Sequence, residues 1–352
     1  MFLRNYWYLA AWSESVTRQP KGYIFLNEPV VLYRKRDAEP VALEDRCAHR
    51  RLFLSRGKLC DDSIVCGYHG LVFDPTGACV QIPGQENIPK WARVKSYPVV
   101  DRHGCIWIWM GEAALADDST IPDLRWATAP GWGAKDCRKV NCHYQLILDN
   151  LSDLSHVGYL HASNVGTADL AEHGKVETRV DGDHVIVSRW TLNKPAPPTY
   201  RDTGGFTSNI DRWQVATFSP PSYFGVQFGA ATAGSGALDG LQRPDRWSFQ
   251  ACHFATPITE KASYYFWAIA HDFGEERDPS TATLYFPEMF GILAQDIGAF
   301  EAQQQCIDLD PTAPVGSISA DAGLVQTRRV VERLLSAERA ANSNHVHAAV
   351  VV

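Results

Sequence analysis

The chain has 352 residues, of which 45% are hydrophobic and 21% charged, and this size and composition predict a globular protein of two domains. Its 40 acidic against 33 basic side chains give a formal net charge of -7, which provides no electrostatic basis for binding nucleic acid or an anionic membrane. The longest strongly apolar stretches, 105–110 and 264–270, are far shorter than the roughly 20 residues of a membrane-spanning helix, so we expect no transmembrane segment.

The N-terminus and the cysteines bear on cellular location. The aromatic segment Met1–Trp12 is interrupted by Arg4 and Asn5 and lacks the apolar core and cleavage site of a signal peptide, so we expect it to be the first element of the fold. Nine unevenly spaced cysteines do not fit a disulfide framework, and they favour a reducing cytoplasm.

The first part of the chain has the pattern of a small all-β module. Short runs with strand character are separated by turns, and they cover residues 30–34, 41–43, 63–65, 71–73 and 105–110. The segment from Asp74 to Gly77 has turn chemistry. A polar, alanine-rich connection follows the last run, so we place the domain boundary near residue 115, with domains 1–115 and 116–352.

The second part mixes helix and strand patterns, which predicts an α+β domain with a long antiparallel sheet wrapped on helices. We expect a helix over about 144–160, strands over 175–190 and 211–227, a strand pair over 247–271 and two C-terminal helices. The last of these helices, 321–339, places Leu324, Val331 and Leu335 on one face.

Two cysteine–histidine pairs form the first candidate metal site. Cys47 and His49 are followed, after sixteen residues, by Cys66 and His69, and we expect each pair at the tip of a β-hairpin. A Rieske 2Fe–2S centre needs two cysteines on one iron and two histidines on the other, and these pairs supply that set. A structural zinc site uses the same ligands, but zinc fingers usually pair cysteine with cysteine and histidine with histidine. The spacing therefore favours a Rieske cluster.

The residues around these pairs agree with a partly exposed redox cluster. Gly67 and Gly70 permit close approach of the backbone to sulfur, and Tyr68 lies beside His69, where it can shield the cluster. The stretch from Cys47 to residue 70 resembles the Rieske domain of aromatic-ring and demethylating oxygenases. Members of that family commonly read Cys-Pro-His-Arg-Gly at the first pair, where this chain reads Cys-Ala-His-Arg-Arg.

The segment around residue 150 carries the second candidate site. Asn150, Asp153 and His156 recur every three residues and share one face of the predicted helix. His156 and His161 are five residues apart, which is about 140° around a helix of 3.6 residues per turn. The two histidines can bind one metal only if the helix ends or bulges between them, and Gly158 is the position at which we expect this.

A carboxylate from elsewhere in the chain would complete such a site. Two histidines and one carboxylate with open positions form the facial triad that activates O2 at non-haem iron(II). On a predicted helix over 287–305, Asp296 lies between apolar residues one turn before and one turn after it, where a carboxylate is costly unless it is paired or binds metal. Glu301 has more polar neighbours and is the second choice. Buried, hydrogen-bonded histidines and a solvated helix face are the alternative interpretation.

Nearly the whole chain resembles the vanillate O-demethylase oxygenases and the toluenesulfonate methyl-monooxygenases. The matching blocks are 82–85, 95–100, 107–110, 150–161, 211–214, 303–305 and 321–329. The resemblance implies a catalytic domain of helix-grip type after the Rieske domain, with His156, His161 and Asp296 as iron ligands. It also implies a homotrimer in which the cluster of one subunit serves the iron of the next.

The resemblance gives roles to further polar residues of the second site. Asp153 occupies the position of a carboxylate that bridges a cluster histidine and an iron histidine, which would orient both rings, and Asn150 would lie near the iron. A separate flavin and iron–sulfur reductase would pass electrons from NADH to the cluster, and from there through His69, Asp153 and His156. O2 would then supply one oxygen to a substrate C–H bond.

The sequence is compatible with two kinds of substrate. Hydroxylation of a methoxy group on an aromatic acid, which we prefer, releases formaldehyde, whereas hydroxylation of the methyl group of a toluenesulfonate or toluate gives a benzyl alcohol. His253 matches a substrate-contacting position of related demethylases, and Arg212 or Gln214 could reach an anionic group. A Rieske electron carrier or a metal-dependent regulatory protein is the alternative of another class, but a carrier would have little use for the second site.

Overall fold

A computed structural model describes residues 1–128, 133–167, 175–236, 247–271 and 280–350. The chain divides into two compact units, one formed by Met1–Arg125 with Thr256–Thr259 and the other by Trp126–Ala255 with Glu260–Val352. Among the described helices, none combines the length and the apolar character that crossing a membrane requires.

The first unit consists of three small antiparallel sheets. Its strands are β1 Trp7–Trp12, β2 Lys21–Phe25, β3 Glu28–Arg34, β4 Pro40–Glu44, β5 Lys58–Cys60, β6 Ser63–Val65, β7 Val72–Phe73, β8 Cys79–Gln81, β9 Val99–Arg102 and β10 Cys105–Trp109. The sheets have the strand orders β1-β10-β9, β2-β3-β4 and β5-β6-β7-β8. Short 3-10 helices cover Ser13–Ser15, Leu54–Arg56, Ala113–Leu115 and Asp118–Thr120, and a further one, Arg125–Thr128, begins at the last residue of this unit and continues into the second. Each of the five predicted strand segments is a strand, and the N-terminal segment forms β1, which is buried along its whole length.

The core of this unit anchors the two predicted cluster cysteines. Cys47 and Cys66 belong to the same buried cluster as Leu43, Ile64 and Phe73. Burying an aliphatic or aromatic side chain of that size contributes about 1.5–3 kcal/mol, so these contacts hold the backbone at both cysteines. The predicted turn between β7 and β8 also forms, because the backbone N–H of residue 77 donates to the carbonyl of residue 74 at 2.9 Å.

The second unit is built on one seven-stranded sheet with the strand order β11-β17-β16-β15-β14-β13-β12. Its strands are β11 Gly133–Val140, β12 Lys175–Asp181, β13 His184–Lys194, β14 Ile210–Ser219, β15 Tyr223–Thr232, β16 Trp247–Thr259 and β17 Ala262–His271. The helices are α1 Tyr144–Ser152, α2 Val157–Leu160, α3 Pro198–Gly204, α4 Ser280–Leu309 and α5 Ala322–Val350, with a 3-10 turn at Ser319–Asp321. The α+β class with a large antiparallel sheet and helices is therefore confirmed.

Several segments of this unit differ from the sequence prediction in detail. The single strands expected over 175–190 and 211–227 are hairpins, β12–β13 and β14–β15, because both arms of each hairpin have similar alternation and the turn between them is short. β11 was missed, since this edge strand carries four charged residues and so lacks a strand-like apolar pattern. The helix expected over 144–160 is two helices, with the break at residues 153–156 and not at Gly158, which lies inside α2.

Candidate metal centres and substrate cavity

The two cysteine–histidine pairs of the first unit lie on turns of the same construction. In the first turn the Cys47 N–H donates to the carbonyl of residue 52, and in the second the Cys66 N–H donates to the carbonyl of residue 71. The fourth residue after each cysteine has a left-handed backbone, with φ of 59° at Arg51 and 73° at Gly70. Arg51 therefore keeps the conformation that glycine adopts more easily, although non-glycine residues rarely adopt it.

The donor atoms of these turns suit a Rieske cluster. Both cysteines are buried, whereas His49 and His69 are exposed and their ring centroids lie 4.6 Å apart. The Tyr68 ring lies against His69 at a tilt of 39°, with 3.8 Å between ring centroids. Two buried cysteine sulfurs and two exposed imidazoles match the ligand set that would hold a Rieske 2Fe–2S centre.

The second site forms where α1 ends. The N–H of Asp153 caps α1 by donating to the carbonyls of residues 149 and 150, and the chain then turns before α2 begins. His156 precedes the first residue of α2 and His161 follows its last residue. The four-residue helix therefore places both histidines at one point, which a continuous helix would not allow.

Asp296 of α4 completes a triad with the two histidines. Its Oδ1 lies 3.1 Å from Nε2 of His161 and 3.7 Å from Nε2 of His156, and one ligand atom from each residue lies within 4.8 Å of the others. His161 and Asp296 are buried, and His156 is half-buried. Two imidazole nitrogens and one carboxylate at this spacing fit the facial triad of non-haem iron.

The second nitrogen of each histidine fixes its orientation. Nδ1 of His156 lies 2.5 Å from the carbonyl oxygen of Asp153, and Nδ1 of His161 lies 2.7 Å from Oε1 of Gln295. Both partners accept hydrogen bonds, so each Nδ1 carries a proton and Nε2 is the nitrogen of each ring that is left to bind a metal. Sequence reasoning missed Gln295, whose only signal was its place next to Asp296.

The surroundings of the triad control the charge of the histidines. Burial lowers the pKa of His156, while the Asp296 charge acts in the opposite direction, so His156 is a neutral imidazole at neutral pH, the form that binds metal. Burial is the largest influence on His161 and opposes its protonation, but the hydrogen bond to Asp296, the Asp296 charge and the hydrogen bond to Gln295 together raise the pKa. A metal ion at the triad competes with that proton for the same Nε2.

The other acidic and amide residues of this site lie at different distances from the triad. Asn150 donates through Nδ2 to Oδ1 of Asp296 at 3.3 Å, so it orients the carboxylate. The Asp153 carboxylate accepts from the Ser155 N–H at 2.6 Å, and the expected contact to His156 is made by the Asp153 main chain and not by its side chain. The structure does not bring Glu301 to the triad, because its carboxylate accepts from the backbone and side chain of Asn141.

An ion pair ties α1 to the C-terminal helix. The guanidinium of Arg328 donates to both oxygens of the buried Asp149 at 3.0 and 2.5 Å, and Gln145 donates to the same carboxylate at 3.0 Å. This bidentate geometry raises the pKa of Arg328, first through the hydrogen bond to Asp149. The Arg328–Asp149 ion pair therefore fixes α1, the helix that carries Asn150.

We expect Arg328→Gln to destabilise the protein by about 2 kcal/mol, because it leaves a buried carboxylate with one neutral donor. Arg328 is about half exposed, so the cost falls below the 3–5 kcal/mol of a fully buried pair. Urea-induced unfolding followed by circular dichroism measures the change. The control is Arg333→Gln on the same helix, whose partner Asp183 is exposed, and a shift there equal to that of Arg328→Gln would contradict the prediction.

A cavity opens beside the triad and contains all three residues proposed to bind substrate. Its volume is about 110 Å³, and a mouth connects it to solvent. Apolar side chains of the sheet and helices form most of its wall, among them Leu154, Val226, Phe228, Ala251, Met289 and Leu293. His253, Arg212 and Gln214 line it together with the triad. The arrangement suits a flat, largely apolar molecule with one polar end.

His253 is a neutral side chain at this site. It is buried, its Nδ1 lies 2.8 Å from the Tyr265 hydroxyl, and burial lowers its pKa to about 4. Burial likewise raises the pKa of Tyr265, so both groups are uncharged at neutral pH. They can hydrogen-bond to a substrate but cannot provide a charge.

Comparison with known proteins places these features in a family. Residues 6–98 match the Rieske 2Fe–2S domain, and residues 140–337 match the vanillate O-demethylase oxygenase C-terminal domain. A crystal structure of dicamba monooxygenase bound to 3,6-dichlorosalicylic acid superposes with a TM-score of 0.83 at 30% identity, over 96% of this chain and 99% of the other. The chain belongs to the Rieske non-haem iron oxygenases.

Two curated relatives are similar over nearly their entire length. A vanillate O-demethylase oxygenase subunit of a Pseudomonas species is 39% identical over 90% of this chain and 97% of its own. A toluene-4-sulfonate monooxygenase iron–sulfur subunit of Comamonas testosteroni is 37% identical over 96% of this chain and 98% of its own. The chain is thus an oxygenase component with a Rieske 2Fe–2S cluster and a mononuclear iron, which receives electrons from NADH through a reductase.

Proposed function

We propose that this chain catalyses O-demethylation of a methoxy-substituted aromatic acid. One oxygen atom of O2 enters a C–H bond of the methoxy carbon, and the other leaves as water with two electrons and one proton from NADH and a second proton from solvent. The hemiacetal product loses formaldehyde and leaves a phenol. The net change is ArOCH3 + O2 + NADH + H+ to ArOH + HCHO + NAD+ + H2O. The observation that carries this proposal is the His–His–Asp triad opening on a largely apolar cavity.

In this proposal, the residues at the triad and along the cavity have separate roles. His156, His161 and Asp296 hold the iron, which when bound supplies the activation of O2. Asn150 orients the Asp296 carboxylate through its amide, and Gln295 orients His161. The apolar wall excludes water from the reacting methoxy group, which limits loss of electrons to side reactions.

The assembly and the electron supply belong to the same proposal. We infer a homotrimer in which Asp153 of one subunit bridges His156 to the cluster histidine His69 of the next. Exposure of His49 and His69 supports this, because a neighbouring subunit or a flavin and iron–sulfur reductase can approach them. We also infer a cytoplasmic location, which agrees with the exposed thiols of Cys60 and Cys306.

Methyl hydroxylation is the second candidate function. The similarity to a toluene-4-sulfonate monooxygenase subunit favours it, and the same triad can hydroxylate a benzylic carbon. A Rieske electron carrier without oxygenase activity is not favoured, because the triad and its cavity have no use in a carrier.

Product analysis separates the two oxidations. Holoenzyme with a surrogate reductase and NADH is incubated with methoxybenzoates, methylbenzoates and methylbenzenesulfonates, and O2 consumption is recorded with formaldehyde and alcohol formation. We expect one formaldehyde per O2 with a methoxybenzoate. Turnover that yields only a benzyl alcohol contradicts demethylation and supports the second candidate, and the absence of any coupled O2 uptake contradicts both.

A further inference from the structure

Four polar side chains lie together on the cavity side of the sheet. Arg189 and Thr191 of β13 are paired with Gln214 and Arg212 of β14, respectively. Directly paired residues of an antiparallel sheet, and residues two apart on one strand, project from the same face. Arg212 and Gln214 line the cavity, so all four side chains point to its side of the sheet. We call this group the arginine tetrad.

Each member of the tetrad has a buried polar atom without a hydrogen-bond partner. These atoms are Nε and Nη1 of Arg189, Oγ1 of Thr191, Nε of Arg212 and Oε1 of Gln214. Unsatisfied buried polar atoms are rare in proteins, and several in one patch indicate a bound group or water that completes their hydrogen bonds.

The tetrad also holds two positive charges. Arg189 is 2% exposed and Arg212 is 4% exposed. In the described part of the chain, neither guanidinium has a carboxylate oxygen within 4.0 Å. Burial, followed by the neighbouring Arg212 charge, lowers the pKa of Arg189 to about 10, while Asp153 acts in the opposite direction. Arg189 is therefore still charged at neutral pH, and two buried guanidinium groups near one another are costly without an anion.

The guanidinium of Arg212 is held in an orientation that suits the binding of an anion. Its Nη1 donates to the carbonyl of Val165 at 2.7 Å, and its guanidinium lies 4.4 Å from the centre of the Tyr200 ring. These contacts fix the plane of the guanidinium and leave Nε with an unused hydrogen. His253 is neutral, so the charge that an acid requires comes from the tetrad.

We propose that the arginine tetrad binds the anionic group of the substrate, an organic carboxylate or sulfonate. This inference rests on the proposed function, since it deepens the assignment of the same cavity. Arg212 contacts the anion directly, and Arg189 is a positioning residue that adds the second charge beside Gln214. The tetrad therefore selects aromatic anions over neutral aromatics and turns the opposite end of the ring towards the triad.

Equilibrium binding tests the proposal without turnover. Anaerobic holoenzyme without reductase is titrated calorimetrically with 4-methoxybenzoate, 4-methoxybenzenesulfonate and the neutral 4-methoxybenzamide. We expect at least one of the two anions to bind about 10- to 100-fold more tightly than the amide, the range for a hydrogen bond to a charged group. Which anion binds more tightly identifies the carboxylate or the sulfonate as the preferred group.

Variants assign the preference to particular residues. Arg212→Gln and Arg189→Gln are each expected to remove most of the preference for the anion while changing amide binding less than about threefold. Arg179→Gln, an exposed arginine on β12 of the same sheet, is the control and should retain the full preference. Iron content and circular dichroism show whether each variant is folded.

Several results would overturn the proposal. Equal binding of the anions and the amide by the wild type rejects it without any variant, which keeps the test valid if a variant does not fold. If Arg189→Gln weakens anion and amide equally, Arg189 has only a structural role. Demethylation of neutral methoxybenzene as fast as of the acid would reject the tetrad but not the proposed function. Anion-selective binding without formaldehyde release would reject the proposed function but not the tetrad.

Discussion

Asp296→Asn is expected to remove iron from the triad and to abolish turnover while the Rieske cluster stays intact. The substitution keeps the size of the side chain but replaces the only carboxylate of the triad by a neutral amide. Loss of a residue that merely supports a metal ligand typically costs 10–100-fold in affinity or activity, so loss of a ligand should reduce turnover by at least about 100-fold. Asn150 would then face an amide where it now donates to Oδ1 of Asp296.

Metal analysis and spectroscopy check this expectation together. The iron content should fall from about three to about two per chain, because the two irons of the cluster remain. The visible and electron paramagnetic resonance spectra of the reduced cluster should be unchanged. Glu301→Gln on the same helix is the matched control and should keep three irons, since Glu301 contacts Asn141 and not the triad. Full iron occupancy in Asp296→Asn would show that another residue is the carboxylate ligand.

The parts of the site that the sequence could predict are those in which the residue type itself carries the chemistry. Two cysteines and two histidines at fixed short spacings have few interpretations, so they could be proposed as cluster ligands without a fold. Asp296 could be proposed as a ligand because a carboxylate between apolar turns of a helix is costly, and in the structure Asp296, Ile292 and Leu293 are all buried. In both cases the signal is local in the chain.

The parts that the sequence could not predict depend on which segments meet in space. In the sequence, Gln295 and Arg189 look like ordinary polar residues of a helix and a strand. Only the structure shows that Gln295 contacts Nδ1 of His161 and that Arg189 is paired with Gln214 across the sheet. The helix α1 ends before His156 because the Asp153 N–H caps it. No residue in that segment is of a type that requires a helix to end there. Hairpins with short turns were read as single strands because alternation continues on both sides of the turn.

The structure changes what a substitution at Asp153 would test. The main-chain carbonyl of Asp153 holds Nδ1 of His156, and the carboxylate is bound to the Ser155 N–H. Asp153→Ala therefore keeps the support of His156 and removes only the carboxylate that we propose bridges to the neighbouring subunit. We expect iron content and cluster spectra to be unchanged, and turnover to fall by about 100-fold or more, the upper end of the effect of losing a residue that orients metal ligands.

Stopped-flow measurement of cluster reoxidation separates electron transfer from a general loss of activity. The reduced enzyme is mixed with O2 and substrate, and the return of the oxidised Rieske absorption should be slowed in Asp153→Ala by the same factor as turnover. Asp153→Asn serves as the matched variant, because it retains the shape and an amide oxygen that can accept one imidazole hydrogen bond, so its rate should lie between those of Asp153→Ala and the wild type. An unchanged rate of reoxidation in Asp153→Ala would reject the bridging role, and a loss of iron would mean that the carboxylate supports the triad instead.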